Sequence, residues 1–288
     1  MEEYGKKAQR NYKDTAITTF TVPLSLVETK DLNSKNNSAK ISKEQIINRA
    51  INYHLEGNIT EATKCYQNCI NKGFNDHRIY SNYGAILKDL GNFKKAEIYT
   101  RKAIKLKPNV AALYHNLGSL LSELGKFKEA EIYTRKAIKL KPDYAMAYYN
   151  LGTILIDLGN LQQAEIYTRK AIELQPSNAQ AHINLGSILN NLGKLKEAEL
   201  SFRQAIKYNP NLGNAYFNLA NILRTNHKYK EALYSFKKAQ EYKIDSKKCL
   251  AGIGRVLLEQ GKHSEGLKKI REGEGSIIFD LKNGFSKI

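Results

Sequence analysis

The sequence predicts an all-α chain built from stacked pairs of helices, and two kinds of periodicity support this prediction. The nine residues AEIYTRKAI occur three times without change, at 96–104, 130–138 and 164–172, so successive copies start 34 residues apart. Four of the five prolines and six asparagines recur with the same spacing. A fixed period between about 20 and 50 residues is typical of repeat architectures, in which each repeat buries its apolar face by stacking on its neighbours.

Composition limits the class of protein. The 288 residues carry a formal net charge of +18, with 46 Lys and Arg against 28 Asp and Glu. Three cysteines without a CxxC pair do not make a disulfide framework and suit a reducing compartment. No secretory signal pattern and no run of about 18 apolar residues is found. We therefore expect a cytoplasmic protein without a transmembrane segment.

The first 42 residues show no helical periodicity. Their polar run LNSKNNSAK, at 32–40, is too hydrophilic for its burial to offset the entropy of ordering. We predict a mobile N-terminal arm over 1–42. An alternative stays open, in which the apolar patch from Phe20 to Val27 docks on the first repeat or on a partner.

From Lys43 onward the pattern predicts pairs of amphipathic helices. In the repeat 111–144, apolar or small residues follow the i, i+3, i+4 spacing of a helix, first before Gly125 and again after it. Glycine marks the turn because a helix C-terminus commonly needs a left-handed residue. It does so in six repeats, at Gly57, Gly91, Gly125, Gly159, Gly193 and Gly261. The repeated proline then ends the second helix.

This pattern resembles the tetratricopeptide repeat (TPR) family. The residues of 179–212 that carry the resemblance are His182, Leu185, Gly186, Leu189, Ala198, Phe202, Ala205 and Pro210. It implies a right-handed superhelix, an α-solenoid, that acts as a non-enzymatic interaction scaffold. Thr100, Thr134 and Thr168 replace the family's usual aromatic residue, so we expect slightly looser packing there.

The phase of the pattern gives six TPR repeats over 43–246 and a degenerate seventh. The six are 43–76, 77–110, 111–144, 145–178, 179–212 and 213–246. In the seventh, Gly266 and Gly273 stand where the family has Ala, and each should weaken the second helix by about 1 kcal/mol. The tail SIIFDLKNGFSKI has a strand-like run and an Asn-Gly turn signal. We interpret 247–288 as a degenerate repeat with a C-terminal cap.

The charges are predicted to lie mainly on the outer, convex side. Each of four second helices carries a Glu four residues before an Arg, which favours an exposed ion pair that aids solubility and helix formation. The pairs are Glu97–Arg101, Glu131–Arg135, Glu165–Arg169 and Glu199–Arg203. The net charge is +6 in repeat 77–110 but −1 in repeat 145–178, so no continuous basic stripe exists. The sequence therefore disfavours nucleic-acid binding.

In TPR proteins the first helix of each repeat lines a concave groove, with places five, six, nine, twelve and thirteen of the repeat towards the ligand. Place six is asparagine in six repeats: Asn48, Asn82, Asn116, Asn150, Asn184 and Asn218. This series resembles the asparagine ladder in the TPR superhelix of O-GlcNAc transferase, which implies a groove that holds an extended protein segment. An asparagine side chain can pair with both the N–H and the C=O of a backbone. A purely structural role for each asparagine stays open.

The other groove places vary between repeats. Place five carries Ser81, His115, Tyr149, Ile183 and Phe217, and place twelve carries Lys88, Ser122, Ile156, Asn190 and Arg224. Asp89, Glu123 and Asp157 at place thirteen give the groove a weakly acidic middle and basic ends. A carboxylate clamp of the chaperone-binding kind is disfavoured, because place five has no Lys and place nine has Asn only at Asn221.

No catalytic or metal-binding pattern is found, and we predict no cofactor and no enzymatic activity. The six histidines are scattered, and Cys65 and Cys69 fit a packed core better than a metal site. The predicted function is a scaffold that binds an extended segment of another protein. Two alternatives remain: a substrate-presenting subunit for a separately encoded transferase, and binding of an anionic polymer or membrane through the basic convex face. Self-association through the repeat ends also stays open.

Overall fold

The computed structural model describes residues 42–274, 277–280 and 284–287. Over these ranges the chain forms fourteen helices followed by a two-stranded hairpin. The predicted all-α repeat architecture is therefore confirmed. The chain divides into two compact units, unit 1 up to Leu158 and unit 2 from Gly159.

Each predicted repeat contains two helices, so odd-numbered helices come first in a repeat and even-numbered helices second. Unit 1 contains α1 (Lys43–Leu55), α2 (Ile59–Asn71), α3 (His77–Asp89), α4 (Phe93–Leu106), α5 (Ala111–Glu123), α6 (Phe127–Leu140) and α7 (Ala145–Asp157). Unit 2 contains α8 (Leu161–Leu174), α9 (Ala179–Asn191), α10 (Leu195–Tyr208), α11 (Gly213–Thr225), α12 (Tyr229–Glu241), α13 (Ser246–Glu259), α14 (His263–Glu274), β1 (Ile277–Asp280) and β2 (Gly284–Lys287).

The turns between paired helices follow the predicted chemistry. Gly125 has a φ of 73°, and the N–H of Lys126 reaches back to the carbonyl of Leu121 at 2.9 Å, which closes the end of α5. All six predicted turn glycines have positive φ. In the sixth repeat this place is taken by His227, with a φ of 57°. A side chain there is strained, because the left-handed region crowds Cβ against the backbone.

The start of the array is well capped. Ser42 accepts a hydrogen bond from the N–H of Gln45 at 3.1 Å, and the Gln45 side chain accepts one from the N–H of Ser42 at 2.8 Å. This reciprocal pair satisfies two donors at the N-terminus of α1. The predicted arm over 1–42 lies outside the described residues except for Ser42.

In unit 1, glycines let paired helices approach closely. A Cβ on Gly84 would lie 2.8 Å from the Thr100 hydroxyl oxygen, and one on Gly118 would collide with the hydroxyl of Thr134. Thr100 and Thr134 are both buried. Each threonine therefore lies directly against a glycine of the paired first helix, and the looser packing expected there stays a prediction.

Unit 2 has the same contact between a glycine and the paired second helix, but the residue opposite the glycine is a phenylalanine. A Cβ on Gly186 would lie 2.7 Å from the Phe202 ring, and Phe202 and Phe236 are fully buried in one apolar core. In the last helix pair, a Cβ on Gly266 would lie 2.9 Å from the carbonyl oxygen of Gly254. This glycine therefore permits close packing of α13 on α14, and the weakening of α14 expected from its low helix propensity stays a prediction.

The strand-like run in the tail forms a hairpin. β1 pairs antiparallel with β2, with Ile277 opposite Lys287 and Asp280 opposite Gly284. Of the predicted Asn-Gly turn, residue 283 lies outside the described ranges. The strand prediction is confirmed.

Candidate functional site

The candidate site is the row of side chains on the first helices at places five, six, nine, twelve and thirteen of each repeat. In unit 1 the first helices from the second repeat onward are α3, α5 and α7, and in unit 2 they are α9, α11 and α13. Two links between adjacent repeats organise the row in unit 1.

Two asparagines at place six bond to place five of the preceding repeat. The Asn116 Nδ2 donates to Ser81 Oγ at 3.5 Å, and the Asn150 Nδ2 lies 3.3 Å from His115 Nδ1. Each amide nitrogen therefore joins two first helices. Asn116 and Asn150 therefore contribute to packing between first helices in unit 1.

Most of the predicted groove residues are deeply buried. In unit 1 the buried members are Asn82, Asn116, Asn150, His115, Tyr149 and Lys88, each at most 6% exposed. In unit 2, Asn184 is also buried, whereas Phe217, Asn218 and Arg224 are half-buried and Asn190 is exposed. Asn48 of the first repeat is half-buried. The row is thus closed in unit 1 and opens towards the C-terminal end of unit 2.

Several buried side-chain oxygens of unit 1 have no hydrogen-bond partner among the described residues. The Asn150 Oδ1 and the Ser119 Oγ have no hydrogen-bond partner among the described residues, although Asn150 is 1% and Ser119 0% exposed. Ser119 stands at place nine, one repeat before Asn150. A buried polar atom without a partner costs about 1–3 kcal/mol. Asn150 Oδ1 and Ser119 Oγ therefore keep unused capacity to accept a hydrogen bond.

The charges of the row are paired between repeats. Lys88, at place twelve, forms an ion pair with Glu123, at place thirteen of the next repeat, with 2.7 Å between Nζ and Oε1. Arg224 and Glu259 in unit 2 make the same type of pair. The prediction of a groove with an acidic middle and basic ends treated each of these charges as unpaired. Pairing neutralises the two cations, so they do not make basic ends.

Asp157 differs from Glu123 and Glu259, because it forms no ion pair with a described residue. Burial raises the pKa of its carboxyl group from 3.8 to about 6. The residue ends α7 at place thirteen and is half-buried. Low-dielectric surroundings disfavour the ionised form, which explains the direction of this shift.

On the second helices the four predicted Glu–Arg pairs are present and extend further than predicted. In unit 1, Arg101 contacts Glu97 at 2.8 Å and also Glu129 of the next repeat at 3.1 Å, and Lys126 contacts Glu97 at 3.0 Å. Unit 2 repeats this arrangement around Arg169 and Arg203. These pairs therefore join neighbouring repeats.

The excess positive charge of repeat 77–110 lies on the protein surface. The lysines that give repeat 77–110 its charge are exposed on or beside α4: Lys94, Lys95, Lys102, Lys105 and Lys107.

Cys69 is buried and Cys65 half-buried, and burial raises the pKa of the Cys69 thiol. Within the described ranges no group of three or more His, Cys, Asp or Glu side chains is arranged to hold a metal ion. No described helix has the length and apolar character needed to span a membrane.

Sequence reasoning missed two features of the site. Place nine carries Ser119 and Thr153, both buried, although only Asn221 at this place attracted notice. The inter-repeat ion pairs were also missed. The ion pairs follow a fixed offset of 35 residues between adjacent repeats, which becomes visible only once the stacking is known.

Family comparisons agree with the repeat pattern. One model described as tetratricopeptide repeat matches residues 76–143 and 110–177, a second matches 179–212, and a third matches 201–234. Together they cover more than half of the chain. No curated protein matches the sequence.

Solved structures share the fold. YrrB, described as a TPR protein with an unusual peptide-binding site, is 24% identical, with 70% of this chain and 100% of YrrB covered and a TM-score of 0.54. The pilF protein of Pseudomonas aeruginosa is 19% identical, with 67% and 88% covered and a TM-score of 0.61. A tetratricopeptide repeat protein from Parabacteroides merdae is 20% identical, with 81% and 92% covered and a TM-score of 0.60.

Proposed function

Because this chain belongs to the tetratricopeptide repeat family, whose members are generally non-catalytic scaffolds that bind other proteins or peptides, we propose that it binds an extended protein segment along its first helices. The segment is held mainly by its backbone, and the chain itself does no chemistry. YrrB is a TPR protein with a peptide-binding site, but the likeness at 24% identity concerns the fold. The proposal therefore rests on the site.

The observation that carries the proposal is that the two polar atoms of the Asn150 side chain differ in their hydrogen bonding. Its Nδ2 is engaged with His115 of the preceding repeat, whereas its buried Oδ1 has no partner among the described residues. An extended chain presents N–H groups on one side at every second residue, about 7 Å apart. Such donors would satisfy Asn150 Oδ1 and Ser119 Oγ without any requirement on the bound sequence.

The neutral character of the row also favours a backbone ligand. Ser81, Ser119 and Ser122 offer hydroxyl groups, and Lys88 is paired with Glu123. Among the described side chains of the row in unit 1, a charged ligand would find few unpaired charges. An uncharged, extended segment loses little by entering such a surface, because its backbone groups exchange water for matched partners.

The test is to select linear peptides against the full chain from a random library and to measure their affinity for three proteins. These are the wild type, Asn150→Ala and the outer-turn control Asn92→Ala. Asn92 is exposed, and its side chain makes no capping hydrogen bond. We expect Asn150→Ala to weaken binding about tenfold, as for the loss of one buried hydrogen bond, and Asn92→Ala to have no effect. Equal affinity for all three proteins would contradict the proposal.

A further inference from the structure

Ion pairs between place twelve and place thirteen follow a fixed register of the first helices. Lys88 on α3 pairs with Glu123 on α5, 35 residues later, with 2.7 Å between Nζ and Oε1. In unit 2, Arg224 and Glu259 make the same pair across the same offset. In both pairs the cation belongs to the earlier repeat and the carboxylate to the later one. Place twelve therefore supplies the cation for place thirteen of the next repeat.

The same register holds between α5 and α7, but the cation is missing there. The Asn150 Nδ2 lies 3.3 Å from His115 Nδ1, across the same offset of 35 residues that joins α3 to α5. At this offset Ser122 stands where the cation for Asp157 would be. A serine hydroxyl carries no charge. Asp157 therefore has the position of an ion-paired carboxylate without its internal partner.

The burial of Asp157 is not compensated by a partner. The residue is half-buried and forms no ion pair with a described residue. Burial is the cause that raises the pKa of its carboxyl group to about 6. A carboxylate that is withdrawn from water without a counter-charge is unfavourable. A cation brought by a ligand would remove this cost, and the remaining exposure of the side chain leaves a way to reach it.

Asp157 lies on the same side of α7 as the atom proposed to hold the ligand backbone. Asn150, Thr153 and Asp157 are spaced i, i+3 and i+7, which places them along one face of a helix. Seven residues correspond to roughly 10 Å along the helix axis. A segment whose backbone passes Asn150 therefore reaches Asp157 with a long side chain. Lys and Arg are the long side chains that carry a positive charge.

We propose that Asp157 selects among ligands by binding a Lys or Arg side chain of the segment that lies along the first helices. The inference rests on the function proposed above, since it assigns a sequence preference to the same row. The bound cation takes the position beside Asp157 that Lys88 takes beside Glu123. Backbone contacts accept any sequence, whereas this one position prefers a positive charge. The row would then bind many segments but favour those with a correctly spaced cation.

Selection from a random peptide library tests the preference. Linear peptides are selected separately against the full-length wild type, Asp157→Asn and the control Asp143→Asn. Asp143 is exposed in the turn before α7, outside the row. We expect Lys or Arg to be enriched at one peptide position on the wild type and on Asp143→Asn, and no such enrichment on Asp157→Asn. Equal enrichment on all three proteins, or none on the wild type, would overturn the proposal.

A double-mutant cycle tests the contact itself. The probes are a peptide selected on the wild type and the same peptide with norleucine in place of its enriched cationic residue. We expect norleucine to weaken binding to the wild type and to Asp143→Asn about 10- to 100-fold, as for the loss of a hydrogen bond to a charged group. On Asp157→Asn it should have little effect. A loss of the same size on all three proteins would show that the cation is bound elsewhere.

The register also provides a variant that fills the site from within the chain. A lysine is accommodated at place twelve, since Lys88 is buried there at 6% exposure. In Ser122→Lys the new ammonium group should pair with Asp157 and bring the pKa of that carboxyl group well below its wild-type value, as followed by carbon-13 NMR. An unchanged pKa would contradict the register on which the proposal rests.

The two proposals fail in different ways. If library peptides bind with a dependence on Asn150 but without a preference for Lys or Arg, the role of Asp157 is wrong and the proposed function survives. If no library peptide binds the full chain, both proposals are wrong.

Discussion

Replacement of Asp157 by Asn should stabilise the protein at neutral pH. Burial raises the pKa of this carboxyl group to about 6 in the folded chain, against 3.8 in a solvated one. Because the folded state binds the proton more tightly, protonation stabilises it. The contribution is complete below about pH 4 and is lost as the pH rises through about 6. At pH 7 the ionised carboxylate therefore weakens the fold.

The size of the effect follows from the two pKa values. A difference of about 2 corresponds to roughly 3 kcal/mol, and the partial exposure of Asp157 reduces this to about 1–2 kcal/mol. Other carboxylates have an opposite pH dependence: hydrogen bonds from Arg78 lower the pKa of Glu44, for example. The difference between the variant and the wild type isolates Asp157, because those groups are common to both proteins.

The assay is urea denaturation of wild type and Asp157→Asn at pH 7 and pH 4.5, with Asp89→Asn as a control. Asp89 also stands at place thirteen, but its side chain is 63% exposed. We expect Asp157→Asn to gain about 1–2 kcal/mol at pH 7 and to lose most of that gain at pH 4.5. A gain that is equal at both pH values, or equal in the Asp89 variant, would refute the reasoning.

Three further predictions concern packing and charge. His227→Gly should raise the free energy of unfolding in urea by about 0.5–1 kcal/mol, because the residue has a positive φ; a loss would show that the imidazole contributes more than the strain. Gly118→Ala should cost about 1–3 kcal/mol through overpacking, and Thr134→Ala added to it should recover much of that loss; a double-mutant cycle without coupling would contradict the close contact. Arg203→Met should cost about 1 kcal/mol in low salt and less in 1 M NaCl, since this exposed side chain joins two carboxylates; a loss that salt leaves unchanged would argue against the ion pairs.

The repeat period is the part of this fold that sequence alone predicts well. A glycine at a turn such as Gly125, or a proline after a second helix, acts through its own backbone, so its effect is visible in the sequence. The helix pairs follow from these turn and helix-end signals and from the spacing of the apolar residues. Contacts between helices were not predicted. Thr134 and Gly266 each pack against a glycine on the helix opposite, and this pairing is visible only in the structure.

The sequence predicted which positions of each repeat form the candidate site. It did not predict how the side chains at those positions pair with each other. The bonds from Asn150 to His115 and from Lys88 to Glu123 each join residues 35 positions apart, one more than the repeat length. That offset reflects how far one first helix is shifted against the next, which composition and periodicity do not encode.

A backbone N-methylation scan of a peptide selected on this chain tests the central claim most directly, namely that the first helices hold a segment by its main chain. N-methylation removes one N–H donor at a time and leaves each side chain in place. We expect at least one N-methylated peptide to lose about tenfold or more in affinity for the wild type and much less for Asn150→Ala, whose acceptor is already missing. Affinity that follows side-chain substitution and is indifferent to N-methylation at every position would contradict the account.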